Sequence, residues 1–127
     1  MNMDGKTVLV TGSTDGVGRY VAGKLAAAGA TVLIHGRDEN RAKTLVDEIK
    51  RAGRGDAIFY QADLSSLAGA RQLAHAVRAD HRRLDLFISN AGIGSRSEGA
   101  GRRESADGYE LRFAVNYLSG FLLAQLL

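Results

Sequence analysis

The chain has 127 residues, 45% hydrophobic and 24% charged, with a formal net charge of +3 and neither cysteine nor proline. This is one globular domain's worth of chain; disulfides and thiolate metal sites are excluded, and sharp turns fall to Gly, Asn and Asp. The arginines are interspersed with acids, as on solvated helix faces rather than along a nucleic-acid stripe, and the three histidines, His35, His75 and His81, lack metal-ligand spacing.

In chain order, the β-branched run Lys6–Thr11 predicts a first strand that stops at Gly12. A helix from Gly16 to Ala28 follows, with Val17, Val21, Leu25 and Ala28 as its core stripe and Gly29 as its C-terminal stop. Thr31–His35 is a second strand; Asp38 then caps a helix reaching about Ala52, with Ala42, Leu45, Val46 and Ile49 facing the core. Ala57–Gln61 is the third strand, and Ser65 or Ser66 caps the helix that carries Ala70, Leu73, Ala74 and Val77. His75 and His81 read as surface residues of that helix. Leu84–Ser89 is a fourth strand, apolar enough to be buried on both faces. The Gly-rich polar stretch Gly92–Gly108 reads as a long flexible loop.

A last helix starts near Tyr109 and is still apolar at Leu127. Arg112, Asn116 and Gln125 interrupt it, so no membrane span is expected. In the chain as it stands, its Phe113, Leu118, Phe121, Leu122 and Leu126 and the outer edge of the fourth strand are expected to be uncovered. The start, MNMDGKTVLVTG, has no charged-then-apolar leader, which favours a cytoplasmic location. Alternating strands and helices with short connections predict an α/β fold, a Rossmann-like doubly wound parallel sheet of four strands in the order 3-2-1-4.

The segment Thr11-Gly12-Ser13-Thr14-Asp15-Gly16-Val17-Gly18 joins the first strand to the first helix. Gly12 permits the tight exit from the strand, while Gly16 and Gly18 let backbone approach a diphosphate at the helix N-terminus, where unpaired N–H groups attract anions. With Ser89-Asn90-Ala91-Gly92 after the fourth strand, this segment resembles the short-chain dehydrogenase/reductase family, which writes T-G-x-x-x-G-x-G and then N-A-G. The resemblance continues through Asp63-Leu64 and Asn116 and covers essentially the whole chain; the wording DGYELRFAVNYLSGFLL is similar to the retinol-dehydrogenase-like branch.

The resemblance implies that residues 1–127 form the nicotinamide-dinucleotide-binding part of an oxidoreductase, incomplete at its C-terminus. It places Asp63 and Leu64 at adenine, Asn90, Ala91 and Gly92 beside the ribose nearest the nicotinamide, and Asn116 as a support for a water path to a catalytic lysine. It also implies a catalytic serine and a Tyr-x-x-x-Lys pair beyond Leu127, a small carbonyl or alcohol substrate, and pairing of subunits through the last helix. No metal and no nucleic acid are expected.

Tyr20 and Lys24 have the spacing of that pair but sit on the first helix, just past the phosphate turn, and are read as a coincidence of spacing. Coenzyme choice is read at the end of the second strand, where an acidic residue would select NAD. Here Arg37 follows His35-Gly36, and a guanidinium favours the 2′-phosphate of NADP, with Arg41 one turn later able to help. NAD is the alternative, which Asp38 and Asp15 favour. The rival to an oxidoreductase part is a non-catalytic dinucleotide-binding module or an inactive truncated piece.

Overall fold

The computed structural model describes residues 1–94 and 101–127. Four parallel strands, β1 (Thr7–Val10), β2 (Thr31–Gly36), β3 (Asp56–Gln61) and β4 (Leu86–Ile88), lie in the order β3-β2-β1-β4. This is the predicted Rossmann-like sheet. Alternation along the strands divides the core in two. Val8, Val10, Val32, Ile34 and Ala57 pack beneath α1 (Gly16–Ala27) and α2 (Glu39–Ala52), whose Ala22, Leu25, Ala26, Ala42, Leu45 and Ile49 face them. On the other face Leu9, Leu33 and Tyr60 meet α3 (Leu67–Asp80) and α5 (Ser119–Leu126) through Leu73, Val77 and Leu123.

The helix starts follow their side-chain caps. Asp38 accepts from the Arg41 amide at 3.1 Å, and Ser66, rather than Ser65, accepts from the Gly69 amide at 3.0 Å. His81 lies beyond the surface of α3: it is the C-cap residue, and its Nε2 sits 3.0 Å from the Tyr60 hydroxyl, which donates to Asp80 at 2.7 Å. Of the expected α1 stripe, Leu25 and Ala28 are buried and Val21 packs half-buried against the core. Gly18, Ala22, Leu25 and Ala26 are buried, whereas Val17 is 71% exposed. The helix opens on glycines so that the turn before it, not an apolar side chain, meets the sheet.

Two further expectations are corrected. β4 is only three residues long and is not buried on both faces: Leu86 is 40% exposed, and β4 hydrogen-bonds to β1 alone among the described strands. A strand with one neighbour keeps one edge open however apolar its sequence. The stretch Gly92–Gly108 is in part ordered, while residues 95–100 lie outside the described residues. Ser105 is buried, its amide donates to the Tyr109 carbonyl at 2.7 Å, and Glu104 bridges Glu110 in antiparallel fashion. The Asp107 carboxylate accepts from the Leu67 amide at 2.8 Å, docking the turn on the start of α3.

The last helix begins at Leu111 as α4 (Leu111–Phe113), widens into a π-helical segment (Ala114–Leu118) and continues as α5. Phe113 and Phe121 are exposed as expected, and Tyr117 joins them in a stacked stripe with centroid separations of 5.4 and 6.2 Å. Leu118, Leu122 and Leu126 are half-buried instead, the last two against the α3 core. Among the described residues no helix is long and apolar enough to cross a membrane.

The two-sided core makes a direct forecast. Leu33→Ala, at a fully buried site on the central β2 strand, lowers the unfolding free energy by about 2–5 kcal/mol. Val17→Ala stays within about 0.5 kcal/mol. Urea denaturation of both variants checks this, and similar losses would contradict the burial pattern of α1.

Candidate active site

The segment Thr11–Gly18 is held from two sides. On the β4 side, the Thr11 hydroxyl oxygen accepts from the amides of Asn90 and Ala91 at 3.0 and 3.1 Å, and the Asn90 side-chain amide donates to the carbonyls of Thr11 and Gly12, both at 3.1 Å. On the β2 side, the Ser13 amide donates to the His35 carbonyl at 2.9 Å and the Ser13 hydroxyl accepts from the His35 amide at 2.9 Å. The Gly12 amide donates to Nδ1 of the His35 ring at 3.0 Å. The absence of side chains at 12 and 18 is a steric requirement. A Cβ on Gly12, whose φ is +63°, would lie 2.8 Å from the Ala91 Cα, and one on Gly18 would strike the Gly12 carbonyl and the Asn90 side chain.

Above this turn opens a cleft of about 620 Å3. Of the residues expected to bind, it brings together Gly12, Thr14, Asp15, Gly16, Arg37, Asp63, Leu64, Asn90, Ala91 and Gly92. Thr11 and Ser13 are buried beneath it as struts, and Gly18 is packed against the turn. Val17 is on the exposed start of α1 and Arg41 on α2, and neither lines the cleft. Arg41 instead reaches the carboxylates of Asp15 at 3.3 Å and Asp38 at 3.5 Å. Asn116, in the π segment, clamps the chain after β4: its Oδ1 accepts from the Ile93 amide at 2.8 Å and its Nδ2 donates to the Ile93 carbonyl at 3.0 Å. Tyr20 is 67% exposed on α1, with the Lys24 ammonium 5.3 Å above its ring, and neither lines the cleft.

The cleft also has walls that the sequence reading missed. His35, Gly36, Ala62 and Ser65 line it from the ends of β2 and β3, and Arg103, Glu104, Ser105 and Ala106 with Leu111 and Val115 enclose it from the segment before and within the last helix. The Asp107-Gly108 dipeptide, a turn former at the end of the presumed loop, was the available signal. His35 carried none, because a histidine at a strand end has no spacing signature.

The charges of the cleft are set by their neighbours. Burial opposes ionisation of Asp63, but the Ser65 amide at 2.9 Å, the Ser65 hydroxyl and the charge of Arg37 outweigh it and hold the carboxyl below its ordinary range. Burial pushes the His35 ring below the ordinary imidazole value, against the pull of the Ala62 carbonyl and Asp63. Among the described residues no group of three or more His, Cys, Asp or Glu side chains is placed to hold a metal.

A glycine cradle at a helix N-terminus, open on the Gly16 side, with a guanidinium at the second strand's tip, fits a diphosphate flanked by two nucleosides. The relatives agree with this geometry. Human retinol dehydrogenase 14 is 35% identical over 98% of this chain, which covers 40% of that protein. A Pseudomonas aeruginosa structure, the RhlG/NADP active-site complex, superposes with a TM-score of 0.80 at 36% identity, covering 99% of this chain and 48% of that one. A metagenomic short-chain oxidoreductase in complex with NADP gives a TM-score of 0.85 at 31% identity over 98% of this chain and 55% of that one. The chain thus spans about two-fifths of the length of the curated relatives it matches. The profile of the short chain dehydrogenase family matches residues 6–127, and the chain belongs to that family.

Proposed function

We propose that this chain forms the coenzyme-binding part of an NADP-dependent oxidoreductase acting on a carbonyl or alcohol. The observation that carries the coenzyme preference is Arg37. It stands at the tip of β2, lines the cleft, and faces it from the position where a carboxylate would reject a 2′-phosphate. NADP in the related RhlG and metagenomic structures supports the same reading. The turn at Gly12–Gly16 would receive the diphosphate, Asp63 and Leu64 the adenine, and Asn90–Gly92 the ribose next to the nicotinamide. The nicotinamide, when bound, supplies or accepts the hydride.

The chain's own contribution is placement. Thr11, Ser13 and Gly18 fix the phosphate turn from beneath. Asn116 holds the Asn90–Ile93 segment at the height of the cleft through its two bonds to Ile93. Arg41 acts indirectly. Asp15 accepts from the Gly16 amide at 2.8 Å, so its carboxylate occupies a donor that a phosphate would use, and Arg41 draws that charge aside. The exposed stripe of Phe113, Tyr117 and Phe121 supports pairing of two copies through the last helix.

Calorimetric titration with NADPH and NADH tests the coenzyme assignment. The full chain binds NADPH more tightly, and Arg37→Ala weakens NADPH about 10- to 100-fold with little effect on NADH. A wild-type preference for NADH would overturn the choice of NADP, and no binding of either would overturn the function. In the same titration Arg41→Ala weakens NADPH by about two- to fivefold, the scale of an exposed ion pair, and Asp15→Asn added to it restores the loss. Equal weakening in the single and double variants would show that Arg41 touches the coenzyme directly.

A further inference from the structure

We propose that His35 is a positioning residue for the phosphate turn, and that its uncharged ring, protonated on Nε2 alone, is what holds the Gly12 amide in place for coenzyme binding. The inference rests on the coenzyme reading above and adds to it a residue and a proton dependence. Its basis is hydrogen-bond chemistry. The Gly12 backbone nitrogen is only a donor, so Nδ1 at 3.0 Å must be the acceptor and carry no proton. The Ala62 carbonyl is only an acceptor, so Nε2 at 3.0 Å must carry one. Each partner fixes the same tautomer, and the residue is only 3% exposed, so both bonds are largely shielded from solvent. The single ring therefore joins the turn after β1 to the chain leaving β3, with β2 between them.

A second proton on this ring would set N–H against N–H at Gly12. The charged groups around it pull both ways. Asp63, just beyond β3, favours an imidazolium. Arg37, two residues on, and Arg103 bring positive charge to the lining of the same cleft, and Asp15 and Glu104 negative charge. Burial is the largest influence and lowers the ring's proton affinity. A bound diphosphate would attract an imidazolium, but only at the cost of the Gly12 bond that shapes its own cradle. The sign then follows. A base whose folded pKa is depressed stabilises the native turn above its unfolded value, near 6.5, and that stability is lost as pH falls toward the folded pKa.

Two isosteres separate the bonds. In His35→Asn the side-chain oxygen takes the place of Nδ1 and can accept from Gly12; in His35→Gln the side-chain nitrogen takes the place of Nε2 and keeps only the Ala62 bond. NADPH affinity of the wild type, measured by calorimetry from pH 8 to pH 5, should fall in acid by up to about tenfold per pH unit, the limit for one proton. His35→Asn should stay within about threefold of wild type at pH 8 and keep only the shallower acid fall that the 2′-phosphate, with its second pKa of about 6, gives by itself, whereas His35→Gln should bind about tenfold more weakly throughout. Equal losses in the two variants, or an acid fall as steep in His35→Asn as in the wild type, would overturn the proposal.

A coenzyme-free reading decides the matter if a variant does not fold or if the wild type binds no coenzyme, the result that sinks the functional assignment instead. In NMR hydrogen exchange of the wild type, Gly12 and Ser13 are adjacent amides bonded to the His35 ring and to the His35 main-chain carbonyl, respectively. Protection at Gly12 should decline in acid while protection at Ser13 persists. Parallel behaviour of the two amides would overturn the role of the ring.

Discussion

The turn after β1 can bind an anion only if its amides point outward, which leaves it with few bonds of its own and makes it depend on its neighbours. The bonds it does make come from the tips of the two flanking strands. Asn90 and Ala91 beyond β4 bond Thr11 and Gly12 from one side, and His35 at the end of β2 bonds Gly12 and Ser13 from the other. The strand order places them there: β1 lies between β2 and β4, so its C-terminal end is the one point where both tips are within reach. The crevice that results is the one in which open parallel sheets bind ligands. Glycine at 12 and 18 is the steric counterpart of the same constraint, since a methyl group at either would push the turn off Ala91 or Asn90.

Charge is arranged around this rigid turn rather than on it. The amides offer partial positive charge, and the one full negative charge in the turn, Asp15, is drawn toward Arg41 and bonded to Gly16. Because that pair is exposed, it contributes little to stability. Its effect is on what an incoming phosphate meets. Arg37 and Asp63 stand further along the cleft, where Asp63 is kept ionised chiefly by Ser65 against the cost of burial. The cleft thus carries charges of both signs, each with a named neighbour, rather than a run of one sign.

The sequence made the sheet legible because periodicity, caps and glycines agree over β1 to α3. Asp38 and Ser66 cap where their types require, and Ala70, Leu73, Ala74 and Val77 all point inward. Periodicity failed at Val17, where the apolar residue nearest the glycines is outside the stripe and the close approach of Gly18 does the packing. It failed again at β4, because apolar composition reports what a strand can bury and not how many neighbours it has. Of the cleft's lining, the glycine turn and Arg37 were readable from type and position, and Asp63 and the Asn90–Gly92 segment from the family resemblance. The Arg103–Ala106 wall and the His35 ring were not. They act through contacts between segments distant in sequence, and a buried hydrogen bond between residues 12 and 35 leaves no local pattern.

The burial gradient across the sheet explains why Asn116 bonds where it does. β1 and β2 are almost wholly buried, while β4 has one hydrogen-bonded neighbour and an exposed Leu86. The cleft-lining residues straddle that gradient: Gly12–Gly16 and Arg37 grow from the buried strands, but Asn90–Ile93 grow from the open one. Segments with few buried contacts are the first to open locally, so the open side needs additional ties. Thr11 supplies two, to Asn90 and Ala91, and Asn116 supplies two more, to the amide and the carbonyl of Ile93. The π-helical segment carries Asn116 within it, a widened turn of the sort that often marks a functional position in a helix. Two side chains from opposite ends of the sequence thus do for this strand end what a second neighbouring strand does for β1, and the geometry of the cleft depends on both.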